Sequence, residues 1–234
     1  MKISLIASLY NTDNLIDKWS KWLIKFTTKL QTFGVDFEII IVSNEPTPTE
    51  KRTFEILKKY NWVKIIEVPR ETIFASWNRG IKASSGEVYG FINADDIRFA
   101  SSILEGIERI KNGADFVYFP FLYIRYIRIL GFLVPVKIKR FSPLPPDKAA
   151  KEIGMPYGPF WLISKKFIEK VGWFDESFKV AGDFEWSART QRQGKFVLSN
   201  ITAGIFTSDG TTLSGSRSLT HKLEKERIQK MYFN

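Results

Sequence analysis

In its first 120 residues the chain alternates continuous apolar runs with stretches in which apolar residues recur every three or four positions. Residues 2–9 and 37–42 are runs of mainly apolar, often β-branched residues, which is typical of strands covered on both faces. Similar runs predict strands at 63–68, 87–92 and 115–119, and helical spacing predicts helices over 15–33, 49–60, 73–81 and 99–110. Strands that alternate with helices in this way predict an α/β fold with a mainly parallel sheet and helices on both of its faces.

The second half of the chain has a weaker pattern. Residues 121–154 are basic, rich in aromatic residues and interrupted by prolines. After them the sequence predicts a strand at 158–163, helices over 165–171 and 183–193, one or two strands within 196–206 and a charged helix over 217–232. We expect one α/β domain with two appendages, because 234 residues leave little room for two independent domains.

Composition limits the chemistry that this domain can perform. The hydrophobic fraction of 44% and the charged fraction of 26% exclude a wholly disordered chain. The sequence has no Cys and a single His, which excludes disulfide bonds, thiol nucleophiles and zinc sites built from Cys or from several His. Any metal is therefore expected to be a hard cation bound by Asp and phosphate oxygens.

The net charge of +10 comes from 35 Lys and Arg against 25 Asp and Glu, and it is unevenly distributed. Residues 121–151 hold seven basic residues and one acidic residue, and residues 217–232 hold five and two. Nearly all of the excess therefore lies in the two appendages, and the rest of the chain is close to neutral. A basic surface of this kind favours an anionic partner: a membrane, a phosphorylated small molecule or a nucleic acid.

Two groups of carboxylates are candidates for the chemistry. Asp95 and Asp96 follow the predicted strand 87–92, at the end of the strand where parallel sheets bind ligands. Adjacent carboxylates repel each other, and a bound cation relieves this repulsion, so the pair suits a Mg²⁺ or Mn²⁺ site on a diphosphate. The alternative is a solvated turn in which an Asp caps the next helix. Asp183 and Glu185 open a predicted helix, where Asp is a common cap, and the functional alternative is a general base.

Several short motifs occur in the order found in one enzyme family. They are SLYN at 8–11, FEIIIV at 37–42, SWNRGIKASSGE at 76–87, FINADD at 91–96 and the block that runs from GWFDE through GDFE at 172–194. With these motifs the chain resembles a family 2 glycosyltransferase with the GT-A fold over nearly all of its length. Each motif is weak alone, and their common order and spacing make the resemblance specific to the family.

The resemblance implies transfer of one sugar from a nucleotide-diphosphate donor to a hydroxyl or lipid-phosphate acceptor, usually with inversion. By position, Asp96 would bind Mn²⁺ or Mg²⁺ on the diphosphate, Asp95 would lie near the ribose or the metal, and Asp183 would be the general base. The nucleoside pocket would be lined by four polar residues at or near the predicted turns: Tyr10, Asn11, Asn44 and Asn78. The implied partners are a nucleotide-sugar donor and a sugar or polyisoprenyl-lipid-linked acceptor, and no nucleic acid is expected.

Three features depart from the family pattern. Ser43-Asn44-Glu45-Pro46 stands where the family often has Asp-Asp-Gly-Ser, which leaves the base of the donor open. Asn93 replaces the first acid of the family's Asp-x-Asp pattern, which is expected to weaken the metal site. The Gln-x-x-Arg-Trp motif of processive synthases is missing from the sequence, which favours a transferase of single sugars over a polymer synthase.

We divide the chain into four segments on this basis. Residues 1–120 are the nucleotide-sugar-binding half of a single GT-A domain, and residues 121–156 are a basic and aromatic excursion. Residues 157–216 are the acceptor-binding half with the base, and residues 217–234 form the charged C-terminal helix.

Residues 121–140 are the second notable feature of the sequence. Read as a helix, this stretch places Arg125 and Arg128 on one face and apolar residues on the remainder, which predicts a helix that lies in the plane of a membrane surface. A lid over the acceptor or a dimer contact is the alternative. Two central Arg residues argue against a membrane span, and the short apolar stretch at 2–9 argues against a signal peptide. We therefore expect a cytoplasmic protein in peripheral contact with the cytoplasmic face of a membrane.

Two other functions fit parts of the pattern. A sugar-nucleotidyltransferase uses a similar sheet, but the sequence lacks a Gly-rich phosphate loop after its first strand. A non-catalytic basic module that binds a membrane or nucleic acid would explain the charge, and Asp95 and Asp96 would then only cap a helix.

Overall fold

The computed structural model describes residues 1–129, 132–149, 156–208 and 219–233. Strands and helices alternate along the first half of the chain, as the apolar pattern predicts. In chain order this half contains β1 (Ile3–Tyr10), α1 (Ile16–Thr32), β2 (Phe37–Asn44), α2 (Pro48–Leu57), β3 (Val63–Val68), α3 (Ile73–Ala83), β4 (Val88–Phe91), β5 (Ile97–Arg98), α4 (Ala100–Lys111) and β6 (Phe116–Tyr118). The second half contains β7 (Phe121–Ile129), β8 (Phe132–Phe141), α5 (Pro146–Ala149), β9 (Trp161–Ser164), α6 (Lys165–Val171), α7 (Gly182–Thr190), β10 (Phe196–Leu198), β11 (Gly204–Ser208) and α8 (Leu219–Tyr232).

A seven-stranded sheet in the order β10-β6-β9-β4-β1-β2-β3 forms the centre of the molecule. β1 pairs in parallel with both β2 and β4, β2 pairs in parallel with β3, and β6 pairs in parallel with β10. β9 lies antiparallel between β4 and β6. The prediction of a mainly parallel sheet is therefore confirmed. The division of the chain into a donor half and an acceptor half stays a prediction.

Helices cover both faces of this sheet. In β1, Ile3, Leu5, Ala7 and Leu9 pack with α1, α2 and α4, whereas Ile6 packs with α3, α6, α7 and α8 on the other face. Successive residues of a strand point to opposite faces, so a strand with a helical layer on each side has to be apolar at nearly every position. This requirement explains the continuous apolar runs in the sequence.

The predicted helix at 121–140 is wrong. A second sheet of four strands, in the order β5-β11-β7-β8, contains this segment as the antiparallel hairpin β7–β8. The reason is composition, because Ile, Val, Tyr and Phe dominate the segment and favour strands over helices. Residues three apart on a strand point to opposite faces, so Arg125 and Arg128 do not share the face that a helix would give them.

Candidate active site

A large cleft opens at the carboxyl-terminal edge of the parallel strands. Its volume is about 1170 Å³, above the range of roughly 300–1,000 Å³ that is common for small-molecule sites. Tyr10, Asn44 and Asn93 line it at or just beyond the ends of β1, β2 and β4, and Asp183 and Phe206 close it from α7 and β11. Open α/β sheets bind their ligands at this edge.

The turn after β1 is held in place by a buried glutamate. Glu50 belongs to a capping box at the start of α2 that it forms with Thr47. Its Oε1 accepts hydrogen bonds from the backbone N–H of Thr12 at 2.8 Å and from the Thr12 hydroxyl at 2.6 Å. Asn11 takes a left-handed conformation with φ 52° in the same turn and lines the cleft. The predicted residue Asn11 therefore lies in a rigid part of the cleft wall.

Tyr10 and Arg70 form a flat, cationic part of this wall. The guanidinium carbon of Arg70 lies 4.4 Å from the centre of the Tyr10 ring, which is 44% exposed. Both side chains line the cleft. An aromatic face backed by a guanidinium can stack on a planar ring and attract an anion. The sequence reasoning found Tyr10 and missed Arg70.

Asn44 lines the cleft and also holds its wall together. Its amide nitrogen donates to the carbonyl of Leu9 at 3.3 Å and to the hydroxyl of Ser76 at 3.0 Å. Its amide oxygen accepts a hydrogen bond from the backbone N–H of Glu71 at 2.9 Å. Asn44 thus ties the end of β1 to α3 and to the segment that precedes α3.

Asn78, in contrast, does not line the cleft. It is buried within α3, and its amide nitrogen donates to the carbonyl of Phe174 and to Glu176 Oε1, both at 2.9 Å. Its amide oxygen accepts a hydrogen bond from the backbone N–H of Phe174 at 3.1 Å. The structure therefore places Asn78 as a clamp between α3 and the 174–176 turn, and not beside the other predicted nucleoside residues.

The Asn93–Asp96 turn places one carboxylate in the cleft and one beneath it. Asp95 lines the cleft, and its carbonyl accepts a hydrogen bond from the Thr207 hydroxyl at 2.7 Å. Asp96 is 6% exposed, and its Oδ2 accepts a hydrogen bond from the Asn93 amide at 3.0 Å. Its Oδ1 is buried and has no hydrogen-bond partner within the described residues. Helix α4 begins at Ala100 and no side chain caps it at its N-cap position, Phe99, so the capping interpretation of this turn is wrong.

A buried arginine lies close to the same turn. Arg98 is 2% exposed and donates from Nη1 to the carbonyls of Phe91 and Trp161, each at 3.3 Å. Burial and the neighbouring Asp95 raise the pKa of Asp96, and the charge of Arg98 opposes both effects. A guanidinium keeps its proton even in a buried position. The sequence reasoning missed Arg98, because nothing in its neighbourhood distinguishes it from a surface residue.

Asp183 stands in the first turn of α7 and faces the cleft. The helix is preceded by Ala181 and has no side-chain cap, so Asp183 is not the capping residue that the alternative interpretation required. Its Oδ1 accepts a hydrogen bond from the backbone N–H of Phe184 at 2.8 Å. Burial raises the pKa of Asp183 to about 6, although this hydrogen bond and the charge of Lys225 lower it in part.

The C-terminal helix supports α7 from behind. Glu185 is buried and binds Arg189 at 2.8 Å, and it accepts a hydrogen bond from the Tyr232 hydroxyl at 2.7 Å. Glu224 of α8 accepts hydrogen bonds from three consecutive backbone N–H groups just before α7, those of residues 179–181. The sequence reasoning assigned no role to Glu224, since its partners lie more than forty residues away in the chain.

Two features are absent from the described residues: a cluster of side chains that could hold a metal ion and a helix that could span a membrane. In the ranges that the structure covers, no group of three or more His, Cys, Asp or Glu side chains is arranged to hold a metal ion. Among the helices seen in those ranges, none is both long enough and apolar enough to cross a membrane.

A mainly parallel sheet with an acidic turn at its carboxyl edge is the architecture of GT-A glycosyltransferases. The sequence model named Glycosyl transferase family 2 matches residues 5–172, and the chain belongs to this family. A dolichol-phosphate mannosyltransferase from Pyrococcus furiosus is 34% identical over 187 residues, which is 77% of this chain and 51% of the relative. The chain thus spans about half the length of this curated relative.

Solved structures give the same fold. The structure of S. aureus TarS residues 1–349 in complex with UDP-GlcNAc superposes with a TM-score of 0.69 at 16% identity, over 100% of this chain and 72% of that one. Full-length TarS superposes with a TM-score of 0.67 at 16% identity, over 90% of this chain and 37% of that one. The fold of the chain is therefore that of GT-A glycosyltransferases, as the motifs implied.

Proposed function

We propose that the protein transfers a single sugar, with inversion, from a nucleotide-diphosphate donor to an acceptor bound in the cleft. The observation that carries this proposal is that Asp95 and Asp183, which lie far apart in the chain, line one cleft. A donor diphosphate beside the first and an acceptor beside the second would meet in the space between them.

The donor side of the cleft is the wall that contains Tyr10, Asn11 and Arg70. The nucleoside would stack on the flat surface of Tyr10, and Arg70 would attract the negative charge of the donor. Asn44 would act mainly by positioning this wall, because three hydrogen bonds within the protein occupy its amide group. The TarS complex with UDP-GlcNAc supports a nucleotide sugar as the donor, since the two proteins share this fold.

The acidic turn fits a hard divalent cation. Its donors are all oxygen atoms, and Oδ1 of Asp96 is buried without a partner in the described residues, which is costly for an ionised carboxylate unless a cation binds nearby. Magnesium is commonly held by one or two carboxylates together with substrate phosphates, so a third protein carboxylate is not required. Asp95 and Asp96 would hold Mn²⁺ or Mg²⁺, and Asn93 would orient Asp96. When bound, the cation would neutralise the charge that develops on the departing diphosphate.

Asp183 would act on the acceptor. In the transfer, the acceptor oxygen bonds to the anomeric carbon while the bond from that carbon to the diphosphate oxygen breaks. Asp183 takes the proton that a hydroxyl acceptor loses. With a pKa of about 6, its carboxylate is ionised at neutral pH and is more basic than an ordinary Asp, which suits a general base.

A lipid phosphate is the second candidate acceptor, and the name of the Pyrococcus furiosus relative favours it. A phosphate oxygen already carries negative charge at neutral pH, so it can attack without losing a proton. In that case Asp183 would contribute much less to the rate. A lipid acceptor of this kind would place the enzyme at the cytoplasmic face of a membrane, the position expected from the sequence.

The test is a transfer assay with UDP-, GDP- and dTDP-sugars, with and without Mn²⁺ or Mg²⁺, on the parent protein and on Asp96→Asn and Asp183→Asn. Asp17→Asn is the matched control, because Asp17 is exposed on α1 and pairs only with Lys21 among the described ion pairs. We expect a general base to account for about 10²–10⁴ in rate, so Asp183→Asn should lose this factor with a hydroxyl acceptor.

Three results would contradict the proposal. Transfer that is equally fast after removal of divalent cations would exclude the metal. An Asp183→Asn protein as active as Asp17→Asn with every hydroxyl acceptor would exclude the base. Failure to use any nucleotide sugar, with either acceptor class, would exclude the reaction itself.

A further inference from the structure

The β7–β8 hairpin extends beyond the sheet to which it belongs. β11 pairs with β7 only from Leu122 to Arg125, and within the described residues no strand other than β8 pairs with the remainder of β7. Every residue of β8 is exposed. The outer half of the hairpin is therefore a two-stranded ribbon that stands largely in solvent.

One face of this outer half is apolar. Cross-strand partners share a face, and so do residues two apart on a strand. Ile127 pairs with Val134 and Ile129 pairs with Phe132, and the exposed fractions of these side chains are 36%, 37%, 47% and 74%. We call these four residues the apolar end. An exposed apolar cluster on a ribbon this thin has no core of its own to join and marks a contact site.

Cations surround the base of the apolar end. Arg125 pairs with Lys137, and Tyr123 pairs with Lys139. The register shifts between Arg125 and Tyr126, where Val136 of β8 is the extra residue, so β7 keeps its alternation and Arg125 lies on the same face as Ile127. We call Arg125, Lys137 and Lys139 the cationic collar. Residues 121–141 contain five Lys and Arg and not one Asp or Glu. The hairpin thus presents an apolar end with positive charge immediately behind it.

The charge decides which partner fits. A second copy of the chain would bring two cationic collars together, and like charges opposed in this way destabilise a contact. Nucleic acid would meet the cations and could stack on Phe132, but the other three residues of the apolar end are aliphatic and offer no flat surface for bases. An anionic lipid leaflet supplies both phosphates for the collar and an apolar layer for the end.

The dimensions of the hairpin fit a shallow insertion. Ile129 lies four residues beyond Arg125, which is roughly 13 Å along a strand at about 3.3 Å per residue. With the collar at the lipid phosphates, the apolar end would reach the boundary between headgroups and acyl chains. Deeper insertion is excluded, because the open edges of a two-stranded ribbon carry backbone groups that hydrocarbon cannot hydrogen-bond.

The hairpin is continuous with the cleft. Its strand β7 pairs with β11, and Phe206 of β11 lines the cleft. A lipid surface bound by the hairpin would therefore be connected to the cleft through β11, which forms part of the cleft wall.

We propose that the β7–β8 hairpin docks the protein on an anionic lipid leaflet, with the apolar end inserted at the headgroup level and the cationic collar on the phosphates. This inference does not depend on the proposed reaction, since it concerns binding to lipid alone.

Co-sedimentation with vesicles tests it. The vesicles are phosphatidylcholine with and without phosphatidylglycerol, and the variants are Ile129→Ser with Phe132→Ser and, separately, Arg125→Glu with Lys137→Glu. Each cation near an anionic surface is worth about 1 kcal/mol, and each buried Ile or Phe about 1.5–3 kcal/mol, so each double variant should lose binding by about tenfold or more. The matched controls are Ile56→Ser, 55% exposed on α2, and Lys18→Glu with Lys25→Glu on the surface of α1. They should bind as the parent does.

A depth probe separates insertion from adsorption. The chain has no Cys, so Val134→Cys can be labelled at one position with a polarity-sensitive dye on the apolar face itself, whereas Leu133 pairs with Arg128 on the opposite face. The emission should shift to the blue with phosphatidylglycerol vesicles, and the same dye on Ile56→Cys should not respond.

Three results would overturn the proposal. The hairpin variants could bind vesicles as tightly as the controls, or the emission of the dye at 134 could stay unshifted on bound protein. The lipid-free parent could also be a dimer that Ile129→Ser with Phe132→Ser dissociates, which would assign the surface to a second copy.

Transfer to a water-soluble acceptor, measured on the same variants, should stay at the parental rate. If the parent protein itself did not transfer sugar to the water-soluble acceptor, that result would count against the proposed reaction and not against docking.

Discussion

Glu224 should control the position of Asp183, although it lies on a different helix. Its carboxylate accepts hydrogen bonds from the backbone N–H groups of Lys179, Val180 and Ala181 at 2.7, 3.0 and 2.8 Å. Ala181 is the residue that precedes α7, and no side chain caps that helix. Glu224, which is 9% exposed, supplies from α8 the negative charge that a capping Asp would normally supply.

The three hydrogen bonds set the size of the effect. A hydrogen bond to a charged group contributes about 1.5–3 kcal/mol, so the set could account for at most about 5–9 kcal/mol. Lys179 and Val180 line the cleft, and water that enters there can solvate the N–H groups once the carboxylate is gone. We therefore expect Glu224→Ala to cost about 3–4 kcal/mol and Glu224→Gln, which keeps one acceptor oxygen, about 1.5–2.5 kcal/mol.

Unfolding and kinetics together test this role. Glu226→Gln is the matched control, because Glu226 is exposed two residues further along α8 and its ion pair in the described part of the chain is with Lys222, at 4.0 Å. Glu224→Gln should lower the midpoint of thermal unfolding, speed hydrogen exchange at residues 179–181 and lower kcat more than it raises the KM of the donor. It should also move the acid limb of the pH–rate profile to lower pH, since the charge of Glu224 raises the pKa of Asp183 while that of Lys225 lowers it. If Glu224→Gln matched Glu226→Gln in every one of these measurements, the reasoning would be refuted.

Four further predictions concern single residues. Burial raises the pKa of Asp183 to about 6, so transfer to a hydroxyl acceptor should fall as the pH drops through about 6, and a profile flat down to pH 4 on the parent would contradict the assignment. The same shift means that ionised Asp183 destabilises the folded state above that pH, so Asp183→Asn should unfold at a higher temperature than the parent at neutral pH. Asn78→Ala should cost about 2–4 kcal/mol of stability through three lost hydrogen bonds, with little change in the KM of the donor; a raised KM at unchanged stability would return Asn78 to the nucleoside pocket. Gly90→Ala should destabilise by about 1–3 kcal/mol, because the added methyl group would lie 2.6 and 2.9 Å from two buried leucine side chains, and an unchanged unfolding midpoint would show that these leucines yield.

The central sheet could be predicted from the sequence because its pattern has one physical cause. Strands covered on both faces have to be apolar at each position, and helices covered on one face have to be apolar every three or four positions. The hairpin at 121–141 has no such constraint, since no third strand pairs with its outer half within the described residues. The apolar residues of Phe121–Ile129 therefore fit a helix or a strand equally well. Only the preference of Ile, Tyr and Phe for strands distinguishes the two.

The candidate site could be predicted in part, for a similar reason. Asp95 and Asp183 lie next to elements that the pattern defines, so their position in the fold follows from the order of strands and helices. Asn78 looked equivalent to Asn44, because both are amides near the same edge of the sheet. Their hydrogen-bond partners differ, however, and the partners of Asn78 lie 96 and 98 residues away in the 174–176 turn. No local pattern reports a contact at that distance.

The charge of the site illustrates the same limit. The excess of basic residues lies in the appendages, and the rest of the chain is close to neutral, yet this neutral part separates its charges within the site. Arg98 is buried near Asp96, so the turn carries two carboxylates and one guanidinium. With both carboxylates ionised, as metal binding would require, the three groups together are negative, and a bound divalent cation would make their sum positive. A departing diphosphate would be stabilised by that positive charge, whereas two carboxylates without Arg98 would be only neutralised by the same ion. The buried arginine therefore determines whether the electrostatic potential at the leaving group is positive or neutral. The net charge of a sequence segment does not reveal this, because it does not show which charged residues are buried together.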